Sequence, residues 1–159
     1  MQEELRASAR KFQGTLKALG FNNEVVELKE TTRSARDAAR AVGCRVEQIA
    51  KSIVFRGGRT NHSILVVASG PNRVNEKQIS DIISEPLLKA DADFVKERTG
   101  YAIGGVPPLG HAEAPVTFID EDLLQYEEIW AAAGTPNAVF KLAPGDLQKM
   151  TDGRVISVK

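Results

Sequence analysis

The 159-residue sequence has few of the side chains on which most metal and redox sites depend. It contains one cysteine, Cys44, and two histidines, His62 and His111, which lie far apart along the chain. A single cysteine excludes an intrachain disulfide and is typical of a protein from a reducing compartment. Because the cysteine and the histidines do not have the spacing of metal ligands, the sequence predicts neither a bound metal nor a cofactor.

Long apolar runs and an excess of either charge are also absent. No segment approaches the roughly 20 apolar residues of a membrane-spanning helix, and the acidic start of the chain is unlike a secretory signal. We therefore expect a cytoplasmic protein without a membrane partner. Its 21 basic residues balance 21 acidic ones, which argues against strong nonspecific binding to nucleic acid. The balance is uneven, because residues 1–60 carry 12 basic and 7 acidic side chains.

The pattern of apolar residues predicts one α+β domain over residues 1–159. A chain of this length can bury about 70% of its unfolded surface, which is enough for a substantial core. Some of the predicted strands are joined by short turns and others by helices, without a regular βαβ alternation. This arrangement favours a mixed or mostly antiparallel sheet over a doubly wound one.

The individual elements follow from periodicity, capping residues and breakers. Helices are predicted at residues 5–19, 35–42, 75–83 and 91–98 and from Pro144 onward. Strands are predicted at residues 24–28, 51–56, 63–68, 115–119, 128–132, 138–142 and 154–158. The strand at residues 63–68 is apolar almost throughout, so we expect it to be central in the sheet and covered on both faces.

A lysine at the beginning of an apolar strand is the first candidate functional residue. On a strand, Lys51 shares a face with Ile53 and Phe55, where an unpaired ammonium group would be costly. Either its apolar stem lets the charge reach solvent, or the charge is held to face an anionic or polar ligand. Ser52 points to the opposite face, so a Ser-Lys nucleophile pair is not expected.

A loop rich in glycine and proline follows about 50 residues later, from Gly104 to Gly110. One interpretation is a tight connection in which glycine permits a positive φ and proline restricts the chain. The other is a rigid run whose backbone amides at residues 104–106 donate to a carbonyl or phosphate oxygen, with Pro107 and Pro108 holding its shape. Both interpretations stay open from the residues alone.

Three arginines are spaced along one face of the second predicted helix. Arg33, Arg36 and Arg40 form either a solvated helix face or a contact surface for an RNA backbone. The two histidines are weaker candidates. His62 is expected at the surface beside a hairpin turn, and His111 follows the glycine- and proline-rich loop.

Taken together, these segments resemble the YbaK/prolyl-tRNA-synthetase-associated editing domains. Residues 48–55 are similar to the lysine strand of that family, and Gly104 and Pro108 stand at the ends of its GxxxP loop. Further agreements are Ala38-Ala39, Val42-Gly43, Phe118-Ile119-Asp120 and Ala133-Gly134. The resemblance covers about residues 25–150, and the order and spacing of the pieces make it more specific than either motif alone.

The resemblance implies a mixed α/β domain with a curved, mostly antiparallel sheet and surrounding helices. It also implies hydrolysis, in trans, of the ester in mischarged aminoacyl-tRNA, usually tRNA for proline, at the terminal adenosine. Aminoacyl-tRNA is then the expected partner, together with a transient association with an aminoacyl-tRNA synthetase. The catalytic residues of the family correspond to Lys51, Gly104 and Pro108.

The chemistry implied by the resemblance requires neither a metal nor a side-chain triad. In family members the ribose hydroxyl of the substrate helps to position the attacking water, and loop amides hold the ester carbonyl. We expect Lys51 to position the terminal nucleotide, because a lysine needs a strongly depressed pKa to act as a base. The expected substrate contacts are Gly105, Val106, Pro107, Thr31, Thr32 and Gly134.

Two departures from the family leave the edited amino acid open. Thr31 and Thr32 stand where members vary, and they either line the aminoacyl pocket or cap the next helix. The turn that begins at Gly134 differs from a more basic glycine turn in other members. A non-catalytic module that binds a tRNA end or a nucleotide is the alternative to an enzyme. The presence of both Lys51 and the complete loop favours the enzyme.

Overall fold

The computed structural model describes residues 6–29 and 34–159. In this part of the chain, five α-helices surround one sheet of eight strands. The helices are α1 (Ala7–Ala18), α2 (Ala35–Val42), α3 (Glu76–Ile83), α4 (Ala92–Thr99) and α5 (Pro144–Thr151). The strands are β1 (Val25–Glu27), β2 (Ile49–Gly57), β3 (Ser63–Ser69), β4 (Leu87–Lys89), β5 (Val116–Asp120), β6 (Ile129–Ala132), β7 (Ala138–Leu142) and β8 (Arg154–Ile156). This architecture confirms the predicted mixed α/β fold.

Short polar side chains and glycines set the helix ends, as the sequence predicts. Ser34, Asn75 and Asp91 precede α2, α3 and α4, and each side chain accepts a hydrogen bond from a backbone N–H of the first turn. Gly43 and Gly100 follow α2 and α4 with φ values of 77° and 84°. Glycine adopts this left-handed conformation without the steric cost that a Cβ atom adds, so both helices end there.

The sheet has the strand order β1-β7-β6-β2-β3-β5-β8, and β4 pairs with β2 outside this path. The pairs β1–β7, β6–β7, β2–β3 and β2–β4 are antiparallel, whereas β2–β6, β3–β5 and β5–β8 are parallel. The hairpin of β2 and β3 is paired along the whole length of β3. Every residue of β3 is buried, which confirms that this strand is central and covered on both faces.

Successive side chains of β3 point to opposite faces of the sheet, so the core has two layers. Leu65 and Val67 pack on one side of the sheet with Phe12 of α1. Ile64 and Val66 pack on the other side, in the cluster that contains Ile79 of α3. Full burial of one such aliphatic side chain contributes about 1.5–3 kcal/mol to stability. The two layers therefore hold β2 and β3 rigidly in the middle of the molecule.

Two short elements differ from the sequence-based expectation. Strand β4, at Leu87–Lys89, was not predicted, because three residues after Pro86 are too few to show an alternating pattern. Its pairing with the distant residues Phe55–Gly57 creates the strand. The lysine strand was predicted from residue 51, but β2 already begins at Ile49, directly after a 3-10 turn at Val46–Gln48.

Strand β2 has one edge that the sheet closes only in part. Its first edge is paired with β3, and its second edge is shared by two short strands. Strand β6 pairs with Ile49 and Ala50, and β4 pairs with the stretch Phe55–Gly57. Between them, residues 51–54 have no strand neighbour on this edge among the described residues. Their backbone groups that point away from β3 are therefore available to water or to a ligand.

Candidate active site

A pocket of about 280 Å³ lies at the open edge of β2. Its walls come from the beginning of β2, from β6, from the first turns of α2 and from the glycine- and proline-rich loop. Lys51 and Ser52 line it from β2, and Gly104 and Val106 line it from the loop. The structure thus brings together the lysine and the loop, which are distant in the sequence.

Lys51 is half-buried, and a backbone carbonyl orients it. Its Nζ donates a hydrogen bond to the carbonyl oxygen of Gly70, at 3.0 Å. Burial lowers the pKa of the Lys51 ammonium group, and the charge of Arg73 lowers it further, while the Asp120 carboxylate opposes the shift. The sequence left two interpretations of Lys51: a charge that reaches solvent, or a charge held to face a ligand. Neither is complete, because the ammonium group is partly desolvated and already has a protein acceptor.

A buried carboxylate holds the turn that orients Lys51. Asp120 is fully buried at the end of β5. Its Oδ2 accepts hydrogen bonds from the Ser69 backbone N–H at 2.9 Å and from the Asn72 side chain at 2.8 Å. These bonds fix both sides of Gly70, whose carbonyl accepts the hydrogen bond from Lys51. From the sequence, Asp120 entered only as part of the resemblance and this role was missed, although a carboxylate that ends an apolar strand was a usable signal.

Of the three backbone amides that the sequence suggests as donors, one is already bonded within the loop. Gly104 has a φ of 96° and is exposed. The N–H of Gly105 donates to the Ala102 carbonyl at 3.1 Å, so it is already bonded within the loop. The N–H groups of Gly104 and Val106 make no hydrogen bond to any described residue. Both residues line the pocket, and their amides are the donors that remain for a ligand.

A turn packed behind the loop explains the need for glycine at two positions. A Cβ atom on Gly105 would lie 2.7 Å from the backbone nitrogen of Thr135, and one on Gly134 would lie 2.6 Å from the Ser8 carbonyl oxygen. The Gly134 N–H donates to the Gly105 carbonyl at 2.9 Å. Gly134, an expected substrate contact, is buried and supports the loop from behind rather than lining the pocket.

The proline part of the loop is buried and tied to a histidine. Pro107 and Pro108 are both buried behind the pocket wall. The carbonyl oxygen of Pro107 lies 2.6 Å from Nε2 of His111, a distance that requires Nε2 to carry the proton and donate it. Nδ1 of His111 is buried without a partner among the described residues. Burial lowers the pKa of His111, and the bond to Pro107 opposes the shift.

The remaining predicted residues lie around the pocket or outside the described part of the chain. Arg36 and Arg40 are exposed on α2, the helix whose Ala35 and Ala38 line the pocket. Thr31, Thr32 and Arg33 lie outside the described residues. Ser52 also lines the pocket, and its buried hydroxyl has no hydrogen-bond partner in the described ranges.

Neither a metal cluster nor a membrane span is found in the described residues. In residues 6–29 and 34–159, no three or more His, Cys, Asp or Glu side chains converge in a way that could hold a metal ion. None of the helices in the same ranges is long and apolar enough to span a bilayer. The predicted absence of a metal and of a cofactor stays a prediction.

Comparison with known proteins identifies a family for most of the chain. The model of the aminoacyl-tRNA editing domain family matches residues 29–150. The uncharacterized protein YwhH of Bacillus subtilis is 30% identical over 133 residues, which are 84% of this chain and 84% of YwhH. EbsC of Enterococcus faecalis, named as a candidate Cys-tRNA(Pro)/Cys-tRNA(Cys) deacylase, is 26% identical over 126 residues, which are 79% of this chain and 76% of EbsC.

A solved structure agrees with the fold over nearly the whole chain. It is the crystal structure of a candidate trans-editing enzyme for prolyl tRNA synthetase, with a TM-score of 0.93 and 44% sequence identity. The match covers 98% of this chain and 99% of that chain. The eight strands and five helices of the described residues are therefore an arrangement shared with a protein of this kind.

The contact between the loop and its supporting turn leads to a stability prediction for Gly105→Ala. The added methyl group would meet backbone atoms of Thr135, which cannot move aside independently. We expect the free energy of unfolding to fall by about 1–3 kcal/mol in urea titrations. Gly14→Ala is the control, since Gly14 lies within α1 with no atom within 4 Å of the added Cβ. It should raise stability by about 0.5–1 kcal/mol. Equal stability of Gly105→Ala and the unchanged protein would contradict the packing argument.

The partly buried imidazole of His111 leads to a pH prediction. The pKa of His111 is lower in the folded protein than its ordinary value of 6.5, so the unfolded chain binds more protons as the pH falls through 6.5. The contribution of His111 to stability is therefore fully present above pH 6.5 and is lost as the pH falls below it. We expect His111→Gln, which cannot titrate, to flatten the pH dependence of the urea midpoint in this range. His62→Gln, at an exposed position, controls for the removal of a histidine. An unchanged pH dependence of the urea midpoint in His111→Gln would contradict the conclusion that protonation of His111 destabilises the folded protein.

Proposed function

The chain belongs to the family of aminoacyl-tRNA editing domains, and we propose that it hydrolyses the ester of mischarged aminoacyl-tRNA in trans. The observation that carries this proposal is the pocket in which a half-buried lysine lies beside a loop with two amides that make no hydrogen bond within the described part of the chain. The names of EbsC and of the solved trans-editing neighbour support the same reaction class. The proposed substrate places the reaction in the cytoplasm.

In the proposed reaction, water attacks the carbonyl carbon of the ester that joins the amino acid to the terminal ribose. The carbonyl oxygen gains negative charge, and the bond to the ribose oxygen then breaks. The ribose oxygen takes up a proton that the attacking water releases, and the products are the free amino acid and deacylated tRNA. The amides of Gly104 and Val106 are suited to hold the developing oxyanion, since they have no acceptor among the described residues and lie on a supported loop. One such donor contributes about 3–4 kcal/mol to transition-state stabilisation in other enzymes.

We assign Lys51 a positioning role. Its ammonium group uses one hydrogen for the Gly70 carbonyl, which leaves two donors for the substrate. Burial lowers the pKa of the Lys51 ammonium group and the charge of Arg73 lowers it further, while the Asp120 carboxylate opposes the shift. A protonated lysine at the pocket mouth can hold a ribose hydroxyl or a phosphate, and it cannot accept the proton of the attacking water.

The pocket walls support a small aminoacyl group. Small alanine side chains from α2, β2 and β6 form much of the lining, which also includes Trp130. We propose tRNA for proline as the carrier, with a small amino acid wrongly attached to it. A transient association with prolyl-tRNA synthetase would deliver such a product, and the named function of the solved neighbour supports this partner.

The first test of this proposal is a deacylation panel with tRNA charged with Ala, Ser, Cys, Thr or Pro. We expect amino acid release from at least one mischarged tRNA, and Lys51→Ala should reduce turnover about 100-fold or more, because the reacting ester is no longer held in its orientation. Lys149→Ala, an exposed lysine on α5, is the matched control. Circular dichroism should be the same for all three proteins.

Two outcomes of the panel would count against the proposal. Unchanged turnover in Lys51→Ala would show that the site is elsewhere. If the unaltered protein bound tRNA but released no amino acid from any member of the panel, the result would favour the non-catalytic module that binds a tRNA end or a nucleotide.

The exposed arginines of α2 give a second prediction. Replacing Arg36 and Arg40 with Gln should weaken tRNA binding, because both side chains lie on the solvent side of the helix that walls the pocket. The slope of log K against log salt should decrease by about 0.9 for each phosphate that the variant no longer neutralises. A Lys17→Gln, Lys149→Gln double variant removes the same charge at exposed positions on α1 and α5. If both double variants have the same salt slope, the arginines are only a solvated helix face.

A further inference from the structure

The turn at the end of β3 carries the carbonyl group that orients Lys51. In this turn, residues 69–72 and here called the β3 turn, the N–H of Asn72 donates to the Ser69 carbonyl oxygen at 2.9 Å. We propose that Asn72 is a positioning residue for Lys51, because its side-chain amide ties the end of the turn to two carboxylates and so fixes the direction of the Gly70 carbonyl. This inference rests on the proposed function, in which Lys51 is the group that holds the substrate.

The side-chain amide of Asn72 donates to both carboxylates at once. Its Nδ2 lies 2.8 Å from Oδ2 of Asp120 and 2.7 Å from Oδ2 of Asp122. An amide nitrogen carries two hydrogens and an ionised carboxylate cannot donate, so the two bonds use both hydrogens and fix the orientation of the amide. The hydrogen bond from Asn72 is also the main cause that holds the pKa of Asp122 below its ordinary value. Without this amide the two carboxylates would lose their shared donor, and their repulsion would no longer be offset.

Both carboxylates are anchored to other parts of the fold. Asp120 is fully buried at the end of β5, and its Oδ2 also accepts a hydrogen bond from the Ser69 N–H at 2.9 Å. Its Oδ1 accepts from the N–H of Asp122, at 2.9 Å. The Asp122 carboxylate forms an ion pair with the Lys159 ammonium group at 3.0 Å. Asn72 therefore joins the β3 turn to a network that is held together without any substrate.

The beginning of the β3 turn is held by contacts of a different kind. A Cβ atom on Gly70 would overlap the carbonyl oxygen of Val46, so the Gly70 backbone lies directly against the 3-10 turn that precedes β2. The Ser69 hydroxyl donates to the carbonyl oxygen of Glu47 in the same 3-10 turn, at 2.7 Å. No substitution at position 72 removes these contacts. The end of the turn, by contrast, depends on the Asn72 amide and on one backbone hydrogen bond.

The direction of the Gly70 carbonyl determines where the charge of Lys51 lies. Lys51 pairs with Ala68 in the hairpin of β2 and β3, and its Nζ donates to the Gly70 carbonyl oxygen at 3.0 Å. A lysine side chain is flexible, so its ammonium group has a defined position only while its acceptor is fixed. If the end of the turn moves, we expect Lys51 to sample several rotamers. A reacting group displaced by about 1 Å can lose about 100-fold in rate.

The direct test measures the order of the Lys51 side chain in the unliganded full chain, by 13C relaxation at the Cε positions of lysine. Asn72→Asp replaces both N–H donors with a third carboxylate. We expect the order parameter of Lys51 Cε to fall to the value of the exposed Lys149 in the same protein. Asn75→Asp is the matched control, because it makes the same charge change three residues later and aspartate caps α3 as well as asparagine does. It should leave the order of Lys51 unchanged.

Two results of this measurement would overturn the proposal. One is an order parameter of Lys51 that is the same in Asn72→Asp as in the unaltered protein. The other is an equal fall in Asn72→Asp and Asn75→Asp, because the added charge alone would then explain it. Asn72→Ala removes the donors without adding a charge, and it has the same expected result if Asn72→Asp does not fold.

Kinetics with a mischarged tRNA that the protein hydrolyses test whether Asn72 acts through Lys51. Asn72→Asp should lower kcat/KM at least about tenfold, and Asn75→Asp should stay within about twofold of the unaltered protein. In a Lys51→Ala background, Asn72→Asp should change kcat/KM by no more than about twofold, because the group that it positions is absent. The same further loss in both backgrounds would make Asn72 a purely structural residue and would overturn the proposal.

The two measurements separate the role of Asn72 from the proposed function. If no mischarged tRNA is hydrolysed but Lys51 loses its order in Asn72→Asp and not in Asn75→Asp, the proposed function fails and the positioning of Lys51 by Asn72 stands. If a mischarged tRNA is hydrolysed and Lys51 keeps its order in Asn72→Asp, the proposed function stands and the role of Asn72 fails.

Discussion

The open edge of β2 is the constraint on which the rest of the site depends. A backbone N–H or C=O group that is buried without a partner costs about as much as a missing hydrogen bond, so an interior strand is normally paired on both edges. Here β6 and β4 pair with only the two ends of this edge. The gap between them leaves residues 51–54 without a strand neighbour on this edge among the described residues, in the middle of the sheet. The pocket lies at that gap, and Lys51 and Ser52 line it.

The groups around the gap are held by contacts that do not involve any substrate. Asp120 fixes the turn that carries the Gly70 carbonyl, and that carbonyl orients Lys51. On the opposite side, the turn at Gly134 supports Gly105 through a hydrogen bond and backbone contact. The lysine and the loop amides therefore have defined positions before a ligand arrives. Preorganisation of this kind is what allows hydrogen-bond donors to stabilise charge without a reorganisation cost.

Sequence patterns were most informative where a structure depends on neighbouring residues. The helices that follow Ser34 and Asn75, the strands β2 and β3 and the burial of β3 on both faces were all predicted and are confirmed. Strand β4 was missed, because its three residues have no recognisable pattern and exist as a strand only through pairing with β2. Lys51 and the GxxxP loop were found because both combine local signals with the resemblance to a family.

The sequence by itself determined the types of elements, their caps, the stiffness of the loop and the presence of a lysine at the beginning of a buried strand. These properties follow from spacing and from the conformational limits of glycine and proline. Only the tertiary structure decided that the Gly105 amide is occupied while those of Gly104 and Val106 have no acceptor among the described residues. It also decided that the Asn72 amide joins Asp120 to Asp122 beside the turn that orients Lys51. Such features depend on contacts between residues that are far apart in the chain, and no local pattern encodes which distant groups will meet.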